Sequence, residues 1–280
     1  MNNYEKLEGM VAATFTPLDE NGDVNLSVID KYADWIASTP IKGVFVCGTT
    51  GEFSSLAIDE RKLILEKWLV SARKRFKVIA HVGSNCQRSA MELARHAAQV
   101  GADAIASIAP SFFKPGTVDE LVDFFAPICH SAAGLPFYYY NMPSITGVNL
   151  PVDKFLVEGK KKIPNLVGTK FTHNNLMEMG VCIELEQHRF EVLHGYDEIL
   201  ISGLAMGAVA GVGSTYNYIP NVYQAIFDSM KMNDLETARH NQIKSIRTVE
   251  VIIKYGGGVR GGKAIMKLIG IDCGSCRLPI

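Results

Sequence analysis

Residues 77–110 read KVIAHVGSNCQRSAMELARHAAQVGADAIASIAP, and their pattern decides the fold. KVIAHVG is short, apolar and rich in β-branched residues, as a strand buried on both faces should be. Ala90, Leu93, Ala94 and Ala97 then share one face at helical spacing, and Gly101 ends that helix as a C′ residue. ADAIASIAP opens the next strand. Strand, amphipathic helix and strand make one βαβ unit, whose parallel strands are covered by helices.

The same unit recurs outward in both directions. Further candidate strands are MVAATFTPL (10–18), GVFVCG (43–48), PFYYYNMP (136–143), NLVGTKFT (165–172), FEVLHGYD (190–197) and GAVAGVGS (207–214). Segments of helical period separate them, among them Ile64, Leu65, Trp68, Leu69 and Ala72 on one face. Eight strands alternating with helices over about 215 residues suit a closed barrel. The expected class is α/β, a (β/α)8 TIM barrel (1–217) with a C-terminal helical extension (218–280) in the same domain unit. A doubly wound open sheet is the alternative, because periodicity alone does not show closure.

Composition narrows the function. With 280 residues, 48% of them hydrophobic, and a formal charge of −1, the chain has no basic field for nucleic acid and no polybasic segment for a membrane. Small-molecule ligands remain. MNNYEKLEGM has no apolar core of a secretory signal, so a cytoplasmic location is expected. The run from Ile199 to Phe227 lacks charge and repeats small residues at Gly203, Gly207 and Gly211, yet its strictly apolar part ends near Gly213, short of a membrane span. A buried helix feeding a buried strand is expected there. The six cysteines lie apart in apolar or helical contexts and are expected as free thiols; Cys273 and Cys276 have CxxC spacing but no partner pair to complete a zinc site. No metal is expected.

In such a barrel, functional groups sit at the C-terminal ends of the strands. That rule selects GTTGE (48–52), PSFFKP (110–115), YNMPSITG (140–147), Lys170 with Thr172, HGYDE (194–198) and GSTYN (213–217). Lys170 is the lone charge in NLVGTKFTHNN (165–175), a run that reads as buried. Apolar surroundings disfavour the ammonium form, and a neutral amine attacks ketones to form a Schiff base. The bland alternative is a lysine paired with Asp197 or Glu198. GTTGE offers backbone N–H groups and the Thr49 and Thr50 hydroxyls to a carboxylate, or else is a tight turn with Thr50 or a neighbour capping the next helix. Tyr140 is a candidate proton shuttle or a core aromatic. HGYDE and GSTYN supply groups suited to a polyhydroxylated ligand, or else Asp197 and Ser214 cap helices. GGVRGGKA (257–264) approximates a phosphate loop but has Ala264 in place of the metal-binding hydroxyl and follows a helical stretch, so a flexible turn between C-terminal helices is expected.

GTTGE, YNMPSITG, the GTKFT lysine, HGYDE and GSTYN, in that order, resemble the N-acetylneuraminate lyase branch of the dihydrodipicolinate synthase and lyase superfamily. The resemblance runs from GMVAATFTP to LIGIDCGSCRLP. It implies a (β/α)8 barrel assembled as a homotetramer of paired dimers, and a class I aldolase that reversibly cleaves N-acetylneuraminate to N-acetylmannosamine and pyruvate without metal or organic cofactor. By this resemblance Lys170 forms the imine, Tyr140 relays protons, and Thr49 and Thr50 bind the carboxylate. Thr172, Gly195, Asp197, Glu198 and Ser214 contact the sugar-like tail. The synthases carry an arginine where this chain has Ile145, which favours an uncharged substrate tail. Many members carry a tyrosine pair where this chain has Phe112 and Phe113, which puts an intersubunit tyrosine relay in doubt. The rivals are a sister aldolase on another 2-keto-3-deoxy sugar acid, a dihydrodipicolinate synthase, and a keto-acid-binding barrel without turnover.

Overall fold

The structure, a computed structural model, describes residues 4–132 and 134–280. Its strands are β1 (Gly9–Ala13), β2 (Gly43–Val46), β3 (Lys77–His81), β4 (Ala104–Ile108), β5 (Phe137–Asn141), β6 (Leu166–Phe171), β7 (Glu191–His194) and β8 (Ala210–Gly213). Each pairs in parallel with the next, and β8 pairs back onto β1. The expected closed barrel is what forms, and the open sheet does not.

Helices follow the strands in turn: α1 (Val28–Ala37), α2 (Ile58–Ala72), α3 (Gln87–Gln99), α4 (Val118–His130), the short α5 (Pro143–Thr146), α6 (Val152–Lys162), α7 (Leu176–Glu184) and α8 (Leu200–Ala205). After β8 come α9 (Pro220–Lys231), α10 (Leu235–Lys254) and α11 (Gly257–Leu268). Ala90, Leu93, Ala94 and Ala97 of α3 are buried, as their spacing demands. Gly101 has φ +82, the left-handed conformation of a helix-ending glycine. The charge-free run after Ile199 opens with a short helix feeding β8, but only Leu200 and Gly203 of that helix are buried and Ala205 is exposed, so the expected buried helix is only half so.

The apolar residues divide into two layers. One, including Phe45, Ile79, Ala106, Tyr138, Tyr140 and Leu193, fills the barrel interior; the other lies between the strands and the helices. Strand alternation explains the split in FYYYN: Tyr138 and Tyr140 face inward, while Phe137 and Tyr139 pack outward on Phe125, with Phe155 also against Tyr139. The N-terminal end of the barrel is plugged. Leu7 enters it, and Glu191 Oε2 accepts the Leu7 N–H and the Tyr138 hydroxyl, both at 2.9 Å. A hollow of about 1100 Å³ beyond that plug is lined by surface groups such as Lys42, Arg75 and Lys77, and holds none of the strand-end residues selected above.

One irregularity matters for the site. β5 and β6 pair Phe137 with Leu166 but Tyr138 with Gly168, so Val167 is an extra residue in β6. Beyond this bulge Tyr140 stands directly beside Lys170. Side chains alternate along a strand, so the one-residue offset sets which of them share a face. Gly168 is required there, because a Cβ would fall 2.0 Å from the Glu191 carbonyl oxygen.

GGVRGGKA corrects the expectation of a flexible turn, because it is helical and forms the first two turns of α11. Its glycines serve close approach. A Cβ at Gly261 would meet the Ile252 carbonyl oxygen at 2.8 Å, and one at Gly262 would meet the Phe15 ring at 2.4 Å. Lys263 is buried and paired with Glu52 at 2.7 Å. All six cysteines are free thiols, Cys273 buried and Cys276 partly so. Among the described residues, no helix is long and apolar enough to cross a membrane.

Candidate active site

The site forms at the open, C-terminal end of the barrel, where β2, β5, β6, β7 and β8 deliver their terminal residues. Lys170 is 4% exposed. Its Nζ lies 4.0 Å from the centroid of the Tyr140 ring and 4.3 Å from that of Phe45. Burial lowers its pKa to about 7, with the charge of Asp197 opposing the shift. Aromatic faces flank the amine, and among the described residues it makes no salt bridge, Asp197 acting on it only through its charge. At pH 7 about half of such an amine is neutral, against roughly one part in 3000 at the ordinary value.

The Tyr140 hydroxyl lies 3.1 Å from Thr49 Oγ1 and donates to Met142 Sδ at 3.1 Å. Burial raises its pKa to about 12, against the lowering effect of the Thr49 hydrogen bond. The phenol therefore holds its proton at neutral pH and gives it up only to a group placed against it. Beneath it, the buried His81 stands edge-on to the Tyr140 ring at 5.8 Å. Its Nε2 accepts the Ile108 N–H at 3.3 Å, which leaves Nδ1 to donate to the Cys47 carbonyl at 2.8 Å. Burial, with Arg61 and Lys170 adding to it, holds this ring neutral.

GTTGE leaves β2 as a rigid turn. Cys47 and Glu52, with φ +55 and +58, bracket it, and a Cβ at Gly51 would meet the Cys47 Cα and the Thr14 carbonyl oxygen at 3.1 Å. Thr16 Oγ1 donates to the Gly51 carbonyl at 2.7 Å. The Glu52 carboxylate is buried between Lys263 Nζ, at 2.7 Å, and the Arg277 N–H, at 2.9 Å. Thr50 does not cap α2: the Ala57 N–H at its start is taken by Glu60 Oε2 at 2.7 Å. The turn is thus clamped from the C-terminal segment, and the half-buried Thr49 and Thr50 are carried at the mouth.

From β7, Gly195 lets Thr172 approach, since a Cβ there would fall 2.0 Å from Thr172 Oγ1. That hydroxyl is buried without a hydrogen-bond partner among the described residues. Asp197 is 6% exposed, and its Oδ2 accepts the Thr215 N–H at 2.8 Å and the Thr215 hydroxyl at 2.6 Å. It therefore caps the turn after β8. Burial raises its pKa to about 6, with the Thr215 hydrogen bonds opposing the shift. Ser214 and Glu198 are half-buried, and Ser214 makes no capping bond.

Phe112 and Phe113 lie outside this cluster, 78% and 86% exposed and stacked edge to face at 4.9 Å. Asn85 Oδ1 holds their loop through the N–H groups of Ser111, at 2.7 Å, and Phe112, at 3.2 Å. Ile145 is 59% exposed. Sequence reasoning had missed Phe45, His81, Met142 and the Glu52–Lys263 pair as parts of the site. Met142 stood inside a selected loop and Lys263 inside the discarded phosphate-loop match, but nothing local to either names its partner.

The chain is similar to known proteins over nearly its whole length. The mouse (Mus musculus) N-acetylneuraminate lyase is 43% identical over 280 residues, covering 99% of this chain and 88% of the mouse protein. The N-acetylneuraminate lyase of Proteus mirabilis superimposes with a TM-score of 0.96 at 37% identity, over 99% of this chain and 93% of that one. That of Aliivibrio salmonicida, also described as a sialic acid aldolase, gives 0.96 at 38% identity, over 99% and 91%. The model of the dihydrodipicolinate synthetase family matches residues 6–280, and the chain belongs to that family.

Proposed function

We propose that this chain is a class I aldolase, a carbon–carbon lyase that reversibly cleaves N-acetylneuraminate to N-acetylmannosamine and pyruvate. The single observation that carries the reading is a buried amine with a pKa near 7, in register with a buried phenol. Family membership and the similarity to the lyases named above support it.

In the proposed cycle the neutral Lys170 Nζ attacks the C2 ketone of the open-chain sugar acid, and loss of water gives a protonated imine. The cationic nitrogen is the electron sink, so neither metal nor organic cofactor enters the mechanism. Thr49 and Thr50 hold the substrate carboxylate, which places Tyr140 over C4. Tyr140 gives its phenolic proton to the hydroxyl that departs as water when the imine forms, then takes the C4 hydroxyl proton, directly or through that carboxylate, as the electrons of the C3–C4 bond move into the imine. N-acetylmannosamine leaves as the aldehyde. Protonation of the remaining enamine at C3 and attack of water on the imine carbon release pyruvate and restore the amine.

Thr172, Gly195, Asp197, Glu198 and Ser214 are assigned to the hydroxylated tail. The unpartnered Thr172 hydroxyl and the carboxylates of Asp197 and Glu198 are groups that polyol hydroxyls pair with. The uncharged Ile145 favours a neutral tail over a second carboxylate. The enzyme is further proposed to be cytoplasmic and to assemble as a homotetramer, a dimer of dimers.

The test is pyruvate release from N-acetylneuraminate, followed by NADH loss with added lactate dehydrogenase. Release at an enzyme-like rate that disappears in Lys170→Ala supports the reading. No release from a folded protein that still forms a borohydride-stable adduct with pyruvate moves it to a sister aldolase. Absence of both leaves a binding protein.

A further inference from the structure

We infer that Met142 is a positioning residue for Tyr140, and that it is thereby the point at which a peroxide switches the enzyme off. The Tyr140 hydroxyl donates to Met142 Sδ at 3.1 Å, and Thr49 Oγ1 also lies 3.1 Å from it. Thr49 Oγ1 reaches the same sulfur at 3.8 Å. The sulfur thus touches both the proton shuttle and a carboxylate-binding hydroxyl.

The thioether is placed by its backbone. The Met142 carbonyl accepts the N–H groups of Ile145, at 3.2 Å, and Thr146, at 3.1 Å, and the Thr146 hydroxyl at 3.1 Å. These bonds close the turn after β5 and fix where the side chain starts. Met142 is half-buried at the barrel mouth, so a small oxidant that reaches the substrate's place reaches the sulfur.

A thioether is a weak acceptor. It gives the phenolic proton a resting direction without holding it, and the proton moves to the substrate when a stronger acceptor arrives. An apolar side chain at 142 takes that direction away, and the hydroxyl turns toward Thr49. A stronger acceptor has the opposite fault. When the sulfur lone pair attacks hydrogen peroxide, the O–O bond breaks, sulfur gains one oxygen and is oxidised by two electrons, and the leaving hydroxide takes the proton of that transferred oxygen to become water. The sulfoxide oxygen then stands next to the phenol as a strong acceptor, and the shuttle's proton is held. Sulfoxide reductases reverse this step with thiol electrons, so the loss is recoverable.

The inference rests on the reading of Tyr140 as the proton shuttle. Its test compares wild type, Met142→Leu, Met142→Gln and Tyr140→Phe in pyruvate release, before and after a hydrogen peroxide dose. Leu conserves volume without an acceptor, and Gln brings an amide oxygen that imitates the sulfoxide. Met142→Leu should lose about 3- to 10-fold in kcat, the worth of one hydrogen bond, with KM within about 2-fold. Met142→Gln should be slower still, although its side chain is no larger. Peroxide should inactivate wild type in step with oxygen gain on the peptide bearing Met142, while Met142→Leu keeps its own rate at that dose. The exposed Met177 and Met232 oxidise in both proteins and serve as internal controls. A Met142→Leu enzyme with wild-type kcat and the wild-type inactivation curve overturns the inference, as does Met142→Gln outpacing Met142→Leu. If Tyr140→Phe keeps full activity, the shuttle reading is what fails; a slow Tyr140→Phe beside an indifferent Met142→Leu sinks the Met142 inference alone.

Discussion

Lys170 and Tyr140 are direct register partners across β5 and β6, and the lysine amine rests 4.0 Å from the phenol ring centroid. The pairing depends on the Val167 bulge, which puts the amine and the phenol in phase. A face of aromatic carbon costs an ammonium its hydration and returns only part of it as cation–π attraction. The neutral amine is the outcome, and four expectations follow from this arrangement and its supports.

Imine formation should follow the Lys170 titration. The rate of trapping with pyruvate and borohydride should fall as pH drops through about 7, where the amine protonates. Stability carries the same sign. Between pH 7 and 10.5 the unfolded chain holds a proton that the folded one lacks, so this residue's contribution rises with pH across that window and is lowest below 7. Lys170→Met should abolish trapping and flatten that part of the stability profile, read by urea denaturation at several pH values.

Tyr140→Phe should lower kcat by about 10²- to 10⁴-fold, the usual worth of a positioned acid–base group. Pyruvate should still form the borohydride-stable adduct, because Lys170 keeps its aromatic surroundings. An unaltered kcat would remove Tyr140 from the mechanism.

Asp197→Asn should raise KM for the sugar acid while leaving the affinity for pyruvate unchanged, since pyruvate has no tail. Asp197→Ala should also unfold more easily, by about 1–3 kcal/mol, because the buried Thr215 N–H and hydroxyl lose their acceptor. The raised pKa gives a pH signature. Asp197 stabilises the fold fully below about 3.8, and that contribution is lost as pH rises to about 6. The variants should lack this limb in thermal melts.

Lys263→Met should be costly, because it strands the Glu52 carboxylate in the interior. Breaking a buried pair costs about 3–5 kcal/mol, whereas replacing both partners is far milder. Chemical denaturation should therefore show the double variant Glu52→Gln, Lys263→Met more stable than Lys263→Met. Glu52 ends the turn that carries Thr49 and Thr50, so Lys263→Met should also raise KM for pyruvate. A variant as stable as wild type would show that the pair holds nothing in place.

Much of this was legible in the chain itself. The alternation of apolar strands with one-faced helices depends on residues a few positions apart, and the structure places a strand at each run singled out. The strand-end rule then selected Lys170, Tyr140, Thr49 and Asp197, which the fold brings to one mouth. Some local signals misled. GGVRGGKA has the glycines of a loop, but Gly261 and Gly262 answer to Ile252 and Phe15, which are distant neighbours that a sequence window does not contain.

By itself, then, the sequence determined the strand and helix order, and through the spacing of its strand-end polar residues the end of the barrel that carries chemistry. Tertiary structure alone decided the closure of β8 onto β1, the bulge that sets Lys170 beside Tyr140, the Phe45 face over the amine and the Lys263 clamp on Glu52. The physical reason is range. Periodicity and turn chemistry act between residues a few positions apart, whereas desolvation, register and ion pairing depend on which distant segments meet, and only the folded chain brings them together.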